Sequence, residues 1–342
     1  MQDSKIRTAV VGAGKMGGIH AKVYHQLGNS ELVAVVDTDI KKAKKLAKKF
    51  KCSAFSDCAE IIDKVDAVTI AAPTVWHLEL AKLFIENKIA VLIEKPLAAT
   101  VEQGEEIVRL ACENNSIVAV GHSERCNPVM QAMKRLDIEA KFIEAQRISP
   151  YPFRSTDVGV VLDVMIHDID IILSLANSPI KKVDAVGINI IGDEEDICNA
   201  RIVFENGCIA NVTASRLALK TERKVRVFSK QAYLSLDYFK KTGTVIKADP
   251  NTGLLEKIRS LKDASKFDLL TTNWSELVHK EKLDIDDKEP LRVELEAFLQ
   301  AVAGHTDRPE VSAQEGLAAM QCAEMILESI KQHEWGDSVE SF

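Results

Sequence analysis

The chain has 342 residues, 46% of them apolar and 28% charged, and its 44 basic against 51 acidic side chains give a net charge of −7. That length exceeds the usual size of one compact domain, so two are expected, residues 1–121 and 122–342. The composition is that of an ordinary globular protein, and the acidic balance argues against a nucleic-acid surface. The one basic run, KKAKKLAKKFK from Lys41 to Lys51, is broken by Ala43, Leu46, Ala47 and Phe50 at helical spacing, which is the pattern of a solvated helix with one buried edge. Seven scattered cysteines without a C-x-x-C pair suit reduced thiols, each a small buried hydrophobe. MQDSK before the first apolar run is too short for a signal peptide, and no apolar run approaches the roughly 18 residues that span a bilayer. A cytoplasmic protein with no membrane partner is therefore expected.

In chain order, apolar runs fall at Ile6 to Val11, Glu31 to Val36, Ala67 to Ala71, Ala90 to Ile93 and Ile117 to Val120. Amphipathic segments separate them: Gly17 to Leu27, Ile40 to Phe50, Leu78 to Asn87, and Val101 to Glu113, the last opened by a Thr100–Gln103 capping box. Short apolar strands alternating with such helices predict an α/β fold, a doubly wound parallel sheet covered on both faces.

The first strand runs into GAGKMG, with Gly12, Gly14 and Gly17 at G-x-G-x-x-G spacing. Gly12 permits a tight turn, Gly14 lets the backbone approach a pyrophosphate, and Gly17 lets helix and strand pack closely. The phosphates would rest at the positive end of the helix beginning near Lys15 and Met16. Asp37, at the end of the second strand and twenty residues after Gly17, is placed to accept hydrogen bonds from both adenosine-ribose hydroxyls. Its carboxylate would repel a 2′-phosphate, so NAD is expected over NADP, although Lys41 and Lys42 lie just downstream.

From about Glu139 longer alternating strands replace this pattern: Lys141 to Ile148, Val183 to Ile191, Ile197 to Glu205, Cys208 to Arg216, Arg223 to Val227 and Ala232 to Asp237. Glu205-Asn206-Gly207 is a hairpin signal, and strands in succession predict an α+β domain with a largely antiparallel open sheet. A helix over Val160 to Leu175 would pack on its inner face. Two more helices, from Glu289-Pro290-Leu291 to Ala303 and from Ala313 to Lys331, close the chain. No metal-ligand cluster is present; His20 and His25 are too isolated for zinc.

AAPTVWH after the third strand, IEKPLA after the fourth, GHSERCNP at Gly121 to Pro128 and LDVMIHDID at Leu162 to Asp170 fall in order after the glycine fingerprint. Together they resemble the Gfo/Idh/MocA family, the glucose–fructose oxidoreductase and inositol dehydrogenase group, over essentially the whole chain. Glu94, Lys95 and Pro96 match its Glu-Lys-Pro segment; Thr74 stands where many members have Asn, and Cys126 where they have an aromatic residue. The family's glycine-rich lead into the second-domain helix is reduced to Asp157-Val158-Gly159.

By that resemblance Ala72, Pro73, Thr74, His77, Glu94 and Lys95 join the glycine loop in holding the cofactor. Lys95, Asp163 and His167 form the catalytic centre, and these three with Arg125 meet the substrate. The chemistry suits them. Moving a hydride to nicotinamide requires a base for the hydroxyl proton and a group that stabilises the alkoxide. His167 is the natural base. Asp163, at i, i+4 from it, shares its helix face, and Lys95 sits at a strand's carboxyl end, where open α/β sheets place their ligands. His77 lines the nicotinamide pocket or caps the next helix; Arg125 binds an anionic group or pairs with a core acid. Asp168 and Asp170 support the helix or the interdomain contact.

GHSERCNP and VVLDVMIHDIDIIL most resemble members acting at C3 of UDP-N-acetylhexosamines, with Arg147, Tyr151, Arg154 and Arg216 available to the diphosphate and uracil. A free polyol such as inositol, or a monosaccharide, is the alternative substrate. A cofactor sensor without turnover is the alternative of another class, but such a protein should have lost the lysine or the histidine. The resemblance also implies a homodimer or homotetramer built on the sheet's outer face.

Overall fold

The computed structural model describes residues 5–136, 138–151, 158–247 and 279–333; Arg154 and Asp157 lie outside them. Two compact units emerge, Met1–Asn127 with Lys288–Met325, and Pro128–Asp287 with Ile326–Phe342.

The first unit is built on strands β1 (Ile6–Val11), β2 (Ser30–Val36), β3 (Ser53–Phe55), β4 (Ala67–Ile70), β5 (Ala90–Glu94) and β6 (Val118–Gly121), all parallel, in the order β3-β2-β1-β4-β5-β6. Helices α1 (Lys15–Gln26), α2 (Ile40–Phe50), α3 (His77–Glu86) and α4 (Val101–Asn114) connect them. Because side chains alternate across a strand, neighbouring residues serve opposite cores. Val91 and Ile93 of β5 pack with Phe84 of α3 and Ile107 of α4, while Leu92 packs with Tyr24 of α1 on the other face. The lysine run forms α2, which buries Ala43, Ala47 and Phe50. Thr100 caps α4 by accepting from Gln103 N (3.3 Å), and the Gln103 side chain accepts from Ala99 N.

Residues 288–325, grouped with the second domain by sequence, belong to this first unit. Helix α7 (Pro290–Val302) starts where Glu289 accepts from Arg292 N and Pro290 needs no donor partner. Its Leu291, Leu295, Phe298 and Leu299 join the Val10, Tyr24 and Leu92 core.

The second unit contains α5 (Pro128–Lys134), strands β7 (Phe142–Ile148), β8 (Ile180–Ile188), β9 (Ile197–Phe204), β10 (Ile209–Ser215), β11 (Glu222–Phe228), β12 (Ala232–Asp237), β13 (Thr242–Lys247) and β14 (Glu281–Lys282), and helix α6 (Ile166–Ala176). The sheet runs β14-β13-β12-β11-β7-β10-β9-β8 and is antiparallel apart from the β7–β10 pair. Helix α6, preceded by a π turn over Val161–Met165, packs against β7 and β10. Gly207, at φ +81°, turns the β9–β10 hairpin. β8 stops at Ile188 rather than the expected Ile191, because the amides of Ile190, Ile191 and Gly192 bend onto the Asp196 carboxylate. Helix α8 (Ala313–Lys331) includes residues of both units.

Candidate functional site

In the first unit, the sequence-predicted residues collect at the carboxyl ends of adjacent strands. Gly12 follows β1, Asp37 follows β2, Ala72, Pro73 and Thr74 follow β4, and Glu94 ends β5 with Lys95 next. The strand order reverses direction between β1 and β4, the place where open α/β sheets bind ligands. Gly12 has φ +101°, and a Cβ there would lie 2.5 Å from the Ala71 carbonyl oxygen. At Gly17 a Cβ would collide with the Gly12 carbonyl, so helix and loop touch backbone to backbone. At Gly14 a Cβ would meet nothing within 4 Å. Helix α1 starts there with no side-chain cap and no acid in its first turn, leaving its amides and dipole to an incoming anion. Lys15 and Met16 are exposed on that turn. Asp37 accepts from Ala13 N (2.8 Å) and Asp39 N (2.8 Å), which fixes its carboxylate beside the loop with acceptor capacity remaining. This open, donor-rich loop with an acid at the next strand end fits NAD.

Two histidines brace the same edge. His20 of α1, fully buried, donates from Nε2 to Glu94 Oε1 (2.6 Å). Burial raises the Glu94 carboxyl, but the bond from His20 and the charges of His20 and Lys95 outweigh it, holding it below its ordinary value. The buried ring of His77 lies 3.0 Å from both the Ala72 and Pro96 carbonyl oxygens. It thereby ties the loops after β4 and β5 together, while α3 begins without a side-chain cap. Burial lowers the His77 imidazole despite these carbonyls. A neutral ring has one N–H, so it donates to one carbonyl at a time. Arg125 is buried and paired with the half-buried Glu315 (3.1 Å).

In the second unit, Asp163 lies in the π turn and His167 on the first turn of α6, both partly exposed among buried Val161, Met165 and Ile166. A π turn closes i→i+5 hydrogen bonds and occurs mostly as a single turn inside α-helices, frequently at functional sites. Asp168 forms a bidentate pair with Arg147 of β7 (2.8 and 2.9 Å), both buried, which pins α6 to the sheet. Asp170 is also buried. Arg216 bonds Asp196 through Nε and the Val158 carbonyl through Nη1, and its guanidinium carbon lies 5.6 Å from the Tyr151 ring centre. Sequence reasoning left three of these partners unrecognised: His20, Asp196 and Glu315. They act through residues far away in the chain, and their sequence surroundings carry no motif. Among the described residues there is no group of three or more metal-ligating side chains, and no helix is long and apolar enough to cross a membrane.

The chain is similar to known proteins along most of its length. Residues 6–122 match the sequence model of the oxidoreductase family with NAD-binding Rossmann fold, and residues 138–235 match the family's C-terminal domain. The UDP-N-acetylglucosamine 3-dehydrogenase of Acidithiobacillus ferrooxidans is 31% identical over 88% of this chain and 90% of its own. Its solved structure superposes with a TM-score of 0.84, covering 96% of this chain and 98% of that one at 27% identity. An inositol 2-dehydrogenase of Rubrobacter xylanophilus is 32% identical over 54% of this chain and 56% of its own. With the glycine loop, the Glu-Lys-Pro strand end and the Asp-His helix all in their expected elements, the chain belongs to the Gfo/Idh/MocA family of NAD-binding oxidoreductases.

Proposed function

We propose that this protein oxidises a secondary sugar hydroxyl with NAD, and that the hydroxyl is at C3 of a UDP-N-acetylhexosamine such as UDP-N-acetylglucosamine. The 31% identity over 88% of the chain to the Acidithiobacillus enzyme carries the choice of substrate. Bound NAD supplies the hydride acceptor. The Gly12–Gly17 loop and the first turn of α1 hold its pyrophosphate, and Asp37 its adenosine ribose. His167 takes the hydroxyl proton, since imidazole is the side chain whose unperturbed titration lies near neutrality. Asp163 orients that ring or holds the neighbouring hydroxyl, and the Lys95 ammonium stabilises the developing alkoxide. His77, bonded at the Pro96 carbonyl, steadies the loop that carries Lys95.

The test is reduced-nicotinamide absorbance on incubation with NAD and UDP-N-acetylglucosamine, UDP-N-acetylgalactosamine, myo-inositol or glucose. Turnover of a UDP-sugar is expected, falling by about 10²- to 10⁴-fold in His167→Ala and Lys95→Ala while NAD still binds. Full turnover by His167→Ala overturns the assignment. Bound NAD with no reduction by any substrate indicates a sensor.

A free polyol is the second reading, and one observation favours it. Arg147 and Arg216, two of the cations a diphosphate would need, are spent on Asp168 and Asp196. Cytoplasmic residence, supported by seven unpaired cysteines, completes the proposal. So does a homodimer or homotetramer, which the family resemblance implies on the sheet's outer face.

A further inference from the structure

The helix bearing Asp163 and His167 begins on an acid from the β8–β9 connection. Val160 N donates to the Glu195 carbonyl (2.9 Å) and Val161 N to Glu195 Oε1 (2.9 Å). These are two of the orphan donors that every helix start must satisfy. Glu195 is 8% exposed, and its carboxylate lies so close to Gly159 that a Cβ there would sit 2.1 Å from Oε1. The glycine before the helix is thus matched to the acid that caps it. The next residue secures the arrangement. Asp196 accepts from the amides of Ile190, Ile191 and Gly192, and Arg216 links it to the Val158 carbonyl (2.7 Å). Asp163 N in turn bonds the Gly159 carbonyl (3.1 Å). An unbroken series of contacts therefore runs from the β8–β9 connection to the residue one turn before His167. The turn it supports is a π turn, a rare form that occurs mostly as a single turn within α-helices and frequently at functional sites.

We propose that Glu195 is a positioning residue for the dehydrogenase: its carboxylate seats the π turn and so sets where Asp163 and His167 project. The inference rests on the catalytic roles assigned above. What the seat requires is reach, an acceptor oxygen at the Val161 amide, rather than negative charge.

Two variants separate these properties. Glu195→Gln keeps the reach and loses the charge; Glu195→Asp keeps the charge and withdraws the acceptor by about 1.5 Å, one methylene. With NAD and UDP-N-acetylglucosamine, Glu195→Gln is expected to keep kcat within about threefold of the parent. Glu195→Asp is expected to lose on the order of 10- to 100-fold in kcat, the scale of ångström misplacement in a catalytic group. NAD affinity should stay unchanged in both. Amide exchange reads the seat without substrate: Val160 and Val161 should exchange faster in Glu195→Asp than in Glu195→Gln. A Glu195→Asp enzyme with parental kcat and parental exchange at Val161, or a Glu195→Gln enzyme as impaired as Glu195→Asp, overturns the inference. If His167→Ala turns over normally, the catalytic assignment fails first, and the exchange result still reports whether Glu195 holds the turn.

Discussion

Gly12 and Gly14 stand two residues apart in one loop, yet alanine should damage them in opposite ways. Gly12 sits at φ +101°, where an L side chain is strained, and its Cβ would lie 2.5 Å from the Ala71 carbonyl oxygen. The backbone term alone is about 1–2 kcal/mol, and a contact that short with main chain forces β1 and β4 to shift. Gly14 has φ −75° and ψ −163°, a conformation alanine adopts freely, and open space where its Cβ would go. Gly14→Ala should therefore leave the NAD-free protein as stable as before, or stabilise it by about 0.4–1 kcal/mol through the unfolded chain. The same methyl occupies the approach of the pyrophosphate to the α1 amides, and a loss of at least about 1.4 kcal/mol there is tenfold in Kd. Urea unfolding of the NAD-free variants and calorimetric titration with NAD measure the two effects separately. Gly12→Ala should lower the urea midpoint. Gly14→Ala should leave that midpoint in place and weaken NAD tenfold or more. Unchanged NAD affinity in Gly14→Ala would refute the placement of the phosphates at this loop, and a lowered midpoint would refute the open space.

Asp37→Asn should reduce kcat/KM for NAD about tenfold and narrow its lead over NADP, as steady-state kinetics with both cofactors would show; an unchanged ratio argues against ribose recognition by this acid. Glu94, held below its ordinary value in the folded state, contributes stability above the unfolded carboxylate range that is lost as pH falls through the folded value. Thermal midpoints measured down the acid limb should fall less steeply in Glu94→Gln than in the parent, and parallel curves would remove the His20–Glu94 pair as the cause. Asp168→Ala removes the bidentate acid from the buried Arg147 guanidinium and should cost about 3–5 kcal/mol in urea unfolding. A loss below about 1 kcal/mol would mean that Arg147 finds another partner.

The alternating half of the fold was legible because each element carries its own period. Ile40–Phe50 and Ala232–Asp237 have the boundaries that periodicity assigns. Elements without a period were not legible: β3 is three residues long, and α5 offers barely two turns behind Pro128. In β13, TGTVIK pairs Gly243 opposite Leu236, so one position lacks a side chain from which to read the pattern. Long-range partnership was harder still. Glu94 is recognisable as part of a motif, but nothing near it in sequence indicates that His20 lies against it, 74 residues away. Likewise the Asp-His spacing was visible on the helix, whereas the acid beneath its first turn stands on the far side of β8. The return of residues 288–325 to the first unit has no local signature, since an amphipathic helix does not name the surface it covers.

That return has a consequence for how the protein is made. Leu295 and Phe298 leave the ribosome long after Val10, Tyr24 and Leu92, whose apolar surface they complete. Until Pro290–Val302 is synthesised, the nucleotide-binding unit lacks part of its apolar cover and is exposed to chaperones and to sticking. Cutting the gene after the sixth strand should yield not an autonomous half but an aggregating one, and co-expressing the late helix as a separate piece should restore its solubility.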